Sequence, residues 1–255
     1  GEAVGASTTM DVPDEDGAGT QEVKALTSYP ATITAEGAAN FTGDVDAAGF
    51  AMKGTTVHAT NALRLPGISG NFASAPYTAA MSVTDLDFRW EGTFASSPPG
   101  GHDALVSRRW NGGGAIVFIS YIHTSTGRIV FGPSEDGTSS PSITSTAAPA
   151  ITPNELIGIR VTFDADNGAG GNTTTFYTRT DGDIGSDTGW SQLGDPVVKA
   201  GVFLFFSDTT PLEIGSNNGG TLYNHEGTVK RVEVRDGIDG TIVANPDFAG
   251  DPTSG

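Results

Sequence analysis

The feature that most constrains the fold of this chain is a series of short segments in which apolar and polar residues alternate with a period of two. Within residues 85–91, Leu86, Phe88 and Trp90 alternate with charged residues, and residues 157–163 alternate in the same way. Successive side chains of a β-strand point to opposite faces of the sheet, so this pattern predicts strands with one buried face and one face in water. Further strands are expected at residues 104–107, 115–122, 129–131, 173–180, 202–206, 212–214, 228–235 and 241–244.

The strands are separated by turn-forming residues at the spacing of roughly 8–12 residues that is typical of β-sandwiches and jelly rolls. Gly accounts for 36 of the 255 residues, which favours many tight turns. Helix signals are limited to possible single turns at residues 78–81 and 153–156. The sequence therefore predicts an all-β protein in which two antiparallel sheets pack as a jelly-roll sandwich.

Charge and composition exclude several classes of function. The formal net charge is −17 and there is no cysteine, so binding to nucleic acid or to anionic membranes, disulfide bonds and thiolate metal sites are not expected. No apolar segment approaches the ~18 residues of a membrane-spanning helix. The first residues also lack a basic region followed by an apolar stretch, so no signal peptide is predicted.

The composition changes along the chain and predicts three segments. Residues 1–60 are acidic or rich in small residues and are expected to form an extended N-terminal arm that attaches to another surface. Residues 61–249 hold the strand pattern and form the sandwich domain. Residues 250–255 are a short C-terminal tail.

The residues do not favour an enzyme. Glycoside hydrolysis needs two carboxylates facing one sugar bond, and the Glu-x-Asp spacing common in hydrolases of this architecture is absent. Asp85 and Asp87 share a strand face, but Arg89 and Glu91 extend it as a mixed charged surface, which favours a face in solvent. The four His residues are scattered among turns, and no Gly-x-Ser-x-Gly motif marks a nucleophile.

Two sets of residues are candidates for binding. Asp164, Asp166 and Asn167 crowd one Gly-rich loop and could supply oxygen ligands to calcium, although Asp and Asn also favour turns without any metal. No cofactor is required by the sequence. Aromatic and amide residues in loops are candidates for glycan contacts, with core packing and a protein interface as the alternatives. These candidates are Trp110, Asn111, Asn217, Asn218 and Tyr223.

The chain also resembles a known family. Residues 65–74 followed by 83–89, the hairpin at 160–182 followed by 190–194, and residues 212–220 with 229–237 are similar to the laminin-G-like, concanavalin-A-like jelly rolls of bacteriophage structural proteins. The resemblance covers residues 61–249. It implies two sheets packed face to face and a domain that projects from a tail, fibre or capsid and often contacts glycans.

The resemblance favours a non-enzymatic structural protein of a tailed-phage virion, which the arm at residues 1–60 would anchor at the particle surface as a capsid decoration or a tail-associated adhesin. Its partners would be other virion proteins, further copies of itself in a homo-oligomer, with a trimer favoured, and host surface glycans. A secreted bacterial carbohydrate-binding module or lectin is the alternative. A hydrolase with unrecognised catalytic residues is the third hypothesis.

Overall fold

The computed structural model describes residues 45–47, 50–53, 56–58, 62–109 and 115–248, with seventeen strands among them, numbered β1 to β17 in chain order. Sheet I has eight strands in the order β1-β2-β5-β15-β7-β8-β9-β10. Its strands are β1 (Val45–Ala47), β2 (Phe50–Lys53), β5 (Phe72–Ala75), β7 (Asp103–Arg109), β8 (Ile116–Ile122), β9 (Ile129–Pro133), β10 (Ile143–Thr144) and β15 (Leu212–Ile214).

Sheet II has nine strands, seven of them in the order β13-β12-β11-β6-β16-β4-β3, with β14 paired to β12 and β17 paired to β16. Its strands are β3 (Thr56–His58), β4 (Ala62–Pro66), β6 (Leu86–Phe94), β11 (Ile157–Asp164), β12 (Gly171–Arg179), β13 (Ser191–Gln192), β14 (Val197–Ala200), β16 (Glu226–Asp236) and β17 (Thr241–Ala244). Neighbouring strands in both sheets are antiparallel, which confirms the predicted all-β, two-sheet sandwich. In the described ranges the one helical segment is the 3₁₀ turn Ala79–Met81, and none of their helices could span a membrane.

Part of the predicted arm contributes strands to the sandwich. Strand β2 pairs with β5 in sheet I, and β3 pairs with β4 in sheet II. Residues 1–44 of the arm and the tail at 250–255 lie outside the described residues, so the arm and the tail stay predictions.

The core lies between the two sheets, where the apolar side of the predicted alternation is buried. Phe88 of sheet II stacks on Phe118 of sheet I with ring centroids 6.5 Å apart, and it lies 6.3 Å from Phe131. Trp90 and Phe94 extend this layer and are fully buried. Truncating one such ring to Ala typically costs about 3–5 kcal/mol, so β6 is central to the stability of the sandwich.

The predicted strand at residues 202–206 is wrong. The strand of this region is β14, which ends at Ala200, and Gly201 then turns the chain with a φ of +94° that only glycine adopts readily. The backbone N–H of Phe203 donates to Ala165 and that of Phe206 donates to Ser134, so this segment bonds to loops rather than to a strand. Its apolar residues still serve the core, because the ring of Phe203 lies 5.1 Å from that of Phe163.

The expectation that the charged side of the alternation faces water is also wrong. Asp87, Arg89 and Glu91 of β6 are at most 2% exposed, although they point away from the core. The physical reason is that the loop at residues 180–190 folds over this face. Arg89 Nη1 donates to the backbone oxygens of Ile184 and Ser186 of that loop, both at 3.1 Å.

Asp87 and Arg89 are tolerated in this buried position because they and Arg160 neutralise one another. Asp87 accepts two hydrogen bonds from Arg160, at 3.0 and 2.8 Å, and two from Arg89, at 3.0 and 3.4 Å. Arg89 also donates to Asp187 and Asp239, both at 2.8 Å. We call this set the charged layer: Asp87, Arg89, Arg160, Asp187, Asp239 and, on the adjoining strand, Glu233 and Arg235.

Trp190 closes the charged layer from outside. Its ring lies 5.0 Å from the guanidinium of Arg179 and 6.0 Å from those of Arg89 and Arg160, and its Nε1 donates to Ser186 at 2.9 Å. The hydrogen bond from Arg89 is the largest of the effects that lower the pKa of Asp187. The loop at residues 180–190 and the charged layer therefore cover the part of the outer face of sheet II around β6, whereas Arg64 of β4 stays exposed.

Replacing Asp87 by Asn should destabilise the protein by about 3–5 kcal/mol, because it removes the buried carboxylate that Arg89 and Arg160 share and leaves them only partly exposed carboxylates such as Asp239. Asp183→Asn is the matched control, since its carboxylate is 64% exposed and lies 4.0 Å from Arg179. That change should cost less than about 1 kcal/mol. Urea unfolding of the three proteins measures both values, and equal stability of Asp87→Asn and the parent would contradict the role given to the layer.

Candidate functional site

Four loops meet at one end of the sandwich. They are residues 67–71, 95–102, 123–128 and 215–225, and we call them the end loops. In that order, they connect β4 to β5, β6 to β7, β8 to β9 and β15 to β16. Antiparallel register brings them together, because Pro66 and Phe94 at the ends of β4 and β6 lie beside Glu226 and Gly227 at the start of β16.

Backbone hydrogen bonds hold the end loops to one another. The N–H of Gly67 donates to His225 at 2.9 Å, and that of Gly70 donates to Gly220 at 2.7 Å. The N–H of Ala95 donates to Glu226 at 2.8 Å. Each of these bonds joins segments more than a hundred residues apart in sequence, so the end loops form a preorganised surface.

A cleft of about 440 Å³ opens between three of these loops, at residues 67–71, 95–102 and 215–225. Its volume falls within the range of small-molecule sites, which are roughly 300–1,000 Å³. Besides four glycine and proline residues and Ser96, the cleft is lined by side chains that carry rings, carboxylates or an amide. These are His102, Asp103, Tyr223, Asn224 and Glu226.

The rings at the cleft belong to a larger aromatic cluster. His102 lies 4.8 Å from Tyr223, 4.9 Å from Tyr121 and 4.6 Å from His123, and Tyr121 lies 4.9 Å from Tyr223. Tyr121 is buried at the end of β8, whereas His102 and Tyr223 are partly exposed. The two cleft rings are thus held in place by the rings behind them.

The backbone of Tyr223 has an unusual conformation. Its φ is +57°, in the left-handed region that non-glycine residues seldom occupy. The carbonyl of Tyr223 accepts a hydrogen bond of 2.7 Å from the N–H of Ala104, which fixes this conformation against β7. Such strain concentrates at binding and catalytic sites, where it orients a side chain.

Two carboxylates lie at the base and rim of the cleft. Asp103 is buried, and its Oδ1 lies 2.5 Å from Nδ1 of His225. A carboxylate oxygen accepts hydrogen bonds, so Nδ1–H of His225 is the donor and Asp103 is the acceptor. His225 is itself fully buried between Trp90 and Phe94 at centroid distances of 5.4 and 5.3 Å, whereas Glu226 is exposed at the start of β16.

The imidazole of His102 joins two end loops. Its Nδ1 accepts a hydrogen bond of 3.2 Å from the backbone N–H of Thr124, and Thr124 Oγ1 donates to the carbonyl of Pro99 at 3.0 Å. Burial lowers the pKa of His102 below its ordinary value of 6.5, and the adjacent His123 lowers it further. His102 is therefore neutral at pH 7, and it must stay neutral to accept from Thr124.

The structure brings one of the predicted glycan-binding residues into the cleft. Tyr223 lines it, while Asn217 and Asn218 lie earlier in the same loop and do not. Asn217 is buried and pairs through its backbone with Leu222, and Asn218 Nδ2 donates to Thr221 Oγ1 at 3.0 Å. Trp110 and Asn111 lie outside the described residues.

The loop predicted as a calcium site forms a tight turn between β11 and β12, remote from the cleft. Asp166 accepts from the N–H of Gly168 at 3.1 Å, and Asn167 Oδ1 accepts from Ala169 at 2.9 Å. Asp164 is the last residue of β11. Among the described residues no group of three or more His, Asp or Glu is arranged to hold a metal, and calcium stays a prediction for Asp164, Asp166 and Asn167.

Sequence reasoning missed the polar residues of the cleft. The histidines were expected to be scattered, but His102, His123 and His225 all lie at the end loops. A signal was present: His102-Asp103 and His225-Glu226 are both His–acid pairs where a loop enters a strand. Each pair appears ordinary in sequence and becomes a site only when the loops meet.

No family model matches the chain, and no curated protein matches its sequence. One similar solved structure is the CBM40 module of a Ruminococcus gnavus IT-sialidase bound to α2,3-sialyllactose, with a TM-score of 0.45 and 12% identity over 67% of this chain and 90% of that one. A heptameric SAP-like pentraxin of Limulus polyphemus has a TM-score of 0.42 and 14% identity, over 65% of this chain and 67% of the pentraxin chain. A Trypanosoma rangeli sialidase in complex with sialic acid has a TM-score of 0.43 and 16% identity, over 72% of this chain and 27% of the sialidase chain. Likenesses this weak do not indicate what the present chain binds.

Lowering the pH below 6.5 should destabilise the end loops through His102. Because its folded pKa lies below the unfolded value, the unfolded chain takes up its proton first, so stability is kept above pH 6.5 and lost as the pH falls through the folded pKa. Urea unfolding across this range should show a steeper pH dependence in the parent than in His102→Gln. In NMR titrations the His102 ring should protonate below pH 6.5. Identical pH profiles for the two proteins would contradict the assignment.

Proposed function

We propose that this protein is a non-catalytic carbohydrate-binding domain and that the cleft between its end loops holds the sugar. The observation that carries the proposal is the convergence of two partly exposed rings, His102 and Tyr223, with the polar groups of Asp103, Asn224 and Glu226 in one braced cleft. Sugars present apolar C–H faces and many hydroxyl groups. A ring can pack against the former, while carboxylate and amide oxygens accept from the latter.

The fixed loops support this function energetically. Binding loses affinity when loops must become ordered around a ligand. Here the backbone bonds from Gly67, Gly70 and Ala95 and the bond from Ala104 to Tyr223 order the end loops in advance. Affinity can then come from a few contacts in a shallow site.

The geometry favours binding over hydrolysis. A glycosidase needs one carboxyl group to give a proton to the leaving oxygen and a second to act as base or nucleophile. In this cleft Asp103 is engaged by His225 at 2.5 Å and is buried, and Glu226 is exposed. A panel of polysaccharides incubated with the protein should release no reducing ends, and any turnover abolished by Glu226→Gln would replace this proposal by a hydrolase.

The setting in which the domain works is a further part of the proposal. A sugar-binding cleft at one end of a sandwich suits a virion-surface protein of a tailed phage, and it suits a secreted bacterial module equally well. Anchoring by residues 1–60, trimer formation and contacts with other virion proteins stay predictions, because residues 1–44 lie outside the described residues. Labelling the protein on purified particles would test the virion setting independently of sugar binding.

Removing the ring of Tyr223 should weaken binding about tenfold, as expected for the loss of one aromatic contact of ~1–1.5 kcal/mol. Tyr223→Asn is the suitable change, because Asn tolerates the left-handed backbone that Tyr223 adopts. Affinity for a glycan identified on an array is measured by calorimetry.

Two control variants accompany this measurement. Tyr223→Phe keeps the ring and should bind nearly as well as the parent. Leu222→Ala changes a 39% exposed residue of the same loop that does not line the cleft, and it should bind normally. Unchanged affinity in Tyr223→Asn, or no glycan bound at millimolar concentration, would refute the proposed site.

A further inference from the structure

The cleft carries negative charge and no fixed positive charge. Its lining includes the carboxylates of Asp103 and Glu226 and contains neither Lys nor Arg. The one titratable base in the lining is His102, which the N–H of Thr124 holds in its neutral form. The residues that line the cleft therefore supply no Lys or Arg beside these carboxylates, and His225 behind the cleft bonds only Oδ1 of Asp103.

The carboxylate of Glu226 is available to a ligand. Among the described residues it has no hydrogen bond or ion pair, although its backbone is fixed by bonds to Ala95 and Asp103. Gly67 leaves the space for this side chain, because a Cβ at position 67 would lie 3.1 Å from Glu226 Cβ. The loop at residues 67–71 therefore leaves room for the Glu226 side chain because it has a glycine at position 67.

Asp103 presents a second acceptor behind Glu226. His225 occupies its Oδ1, and its Oδ2 accepts only a long bond of 3.5 Å from the N–H of Glu226. That oxygen keeps acceptor capacity, because a carboxylate oxygen has two lone pairs. This bond joins the carboxylate of Asp103 to the backbone of Glu226, and both carboxylates line the same cleft, so a single ligand group can approach both.

We propose that the cleft selects glycans that carry a protonated primary amine, such as de-N-acetylated hexosamine units, over glycans that carry carboxylate or sulfate groups. This inference rests on the proposed function, since it concerns the same cleft. An ammonium group has three donors and a positive charge, which match Glu226 and Oδ2 of Asp103. An acidic sugar would place a further negative charge beside these carboxylates, in a protein whose net charge is already −17.

Three tetrasaccharides of matched length test the preference by calorimetry at pH 6.5 and low salt. They are a glucosamine tetramer with free amines, its fully N-acetylated counterpart, and a galacturonate tetramer. The amine form should bind about fivefold more tightly than the N-acetylated form, as one partly exposed ion pair of up to ~1 kcal/mol provides, and the galacturonate most weakly. Added salt should reduce this preference, because screening weakens exposed charge pairs.

Three variants assign the preference to the cleft. Glu226→Gln should bind the amine and N-acetylated tetramers with nearly equal affinity. Asp166→Asn removes the same charge from the turn between β11 and β12, and it should keep the fivefold difference. Tyr223→Asn should weaken both tetramers together, which separates binding in the cleft from diffuse attraction to an acidic surface.

The outcomes distinguish this inference from the function on which it rests. Equal or tighter binding of the N-acetylated or galacturonate tetramer would overturn the amine preference while leaving a carbohydrate-binding cleft. A preference that persists in Glu226→Gln, or an amine affinity that is unchanged in Tyr223→Asn, would also overturn it. If none of the three tetramers and no other glycan binds, the proposed function fails as well.

Discussion

The pairing of Asp87 with Arg89 and Arg160 is the interaction on which the rest of this structure depends. Charges away from water are tolerated only when they are matched and hydrogen-bonded, and the charged layer matches them on the outer face of sheet II. The loop at residues 180–190 can then lie on this face, with Trp190 above the guanidinium groups. As a result, this face of the sandwich is occupied by the chain itself.

The open surface suited to a ligand lies instead at one end of the strands. Antiparallel strands place alternate loops at the same end of a sandwich, and here the loops after β4, β6, β8 and β15 are held to one another by hydrogen bonds. The outcome is a cleft whose rings are supported from behind by Tyr121 and His123. Its carboxylates are positioned by neighbours as well: Asp103 by His225, and Glu226 by the space at Gly67.

Local pattern predicted the sandwich, because the period of two in β6, β11 and β16 is a property of adjacent residues. It could not predict that the polar side of the same strands is buried, since this depends on a loop about a hundred residues after β6. The strand expected at residues 202–206 is wrong for a related reason. The apolar pattern is present, but Gly201 turns the chain, and the Phe rings reach the core from an irregular segment.

The cleft was predictable only in part. Tyr223 was a candidate because aromatic residues in loops often bind ligands, and the structure places it in the cleft. His102, Asp103 and Glu226 gave no comparable signal, since their significance comes from loops that are distant in sequence and meet through sheet register. Asn217 was a reasonable candidate by residue type, but the bridge to Leu222 turns it into a buried part of the loop.

The most direct test of the central claim, that the end loops form the binding site, is an NMR titration of the isotope-labelled protein with an oligosaccharide that it binds. Amide shifts should change at the cleft, foremost at Gly101, His102, Tyr223 and Glu226, and should remain unchanged around Trp190 on the closed face of sheet II. Shift changes centred on Trp190 and the charged layer, with the end loops unaffected, would contradict the account.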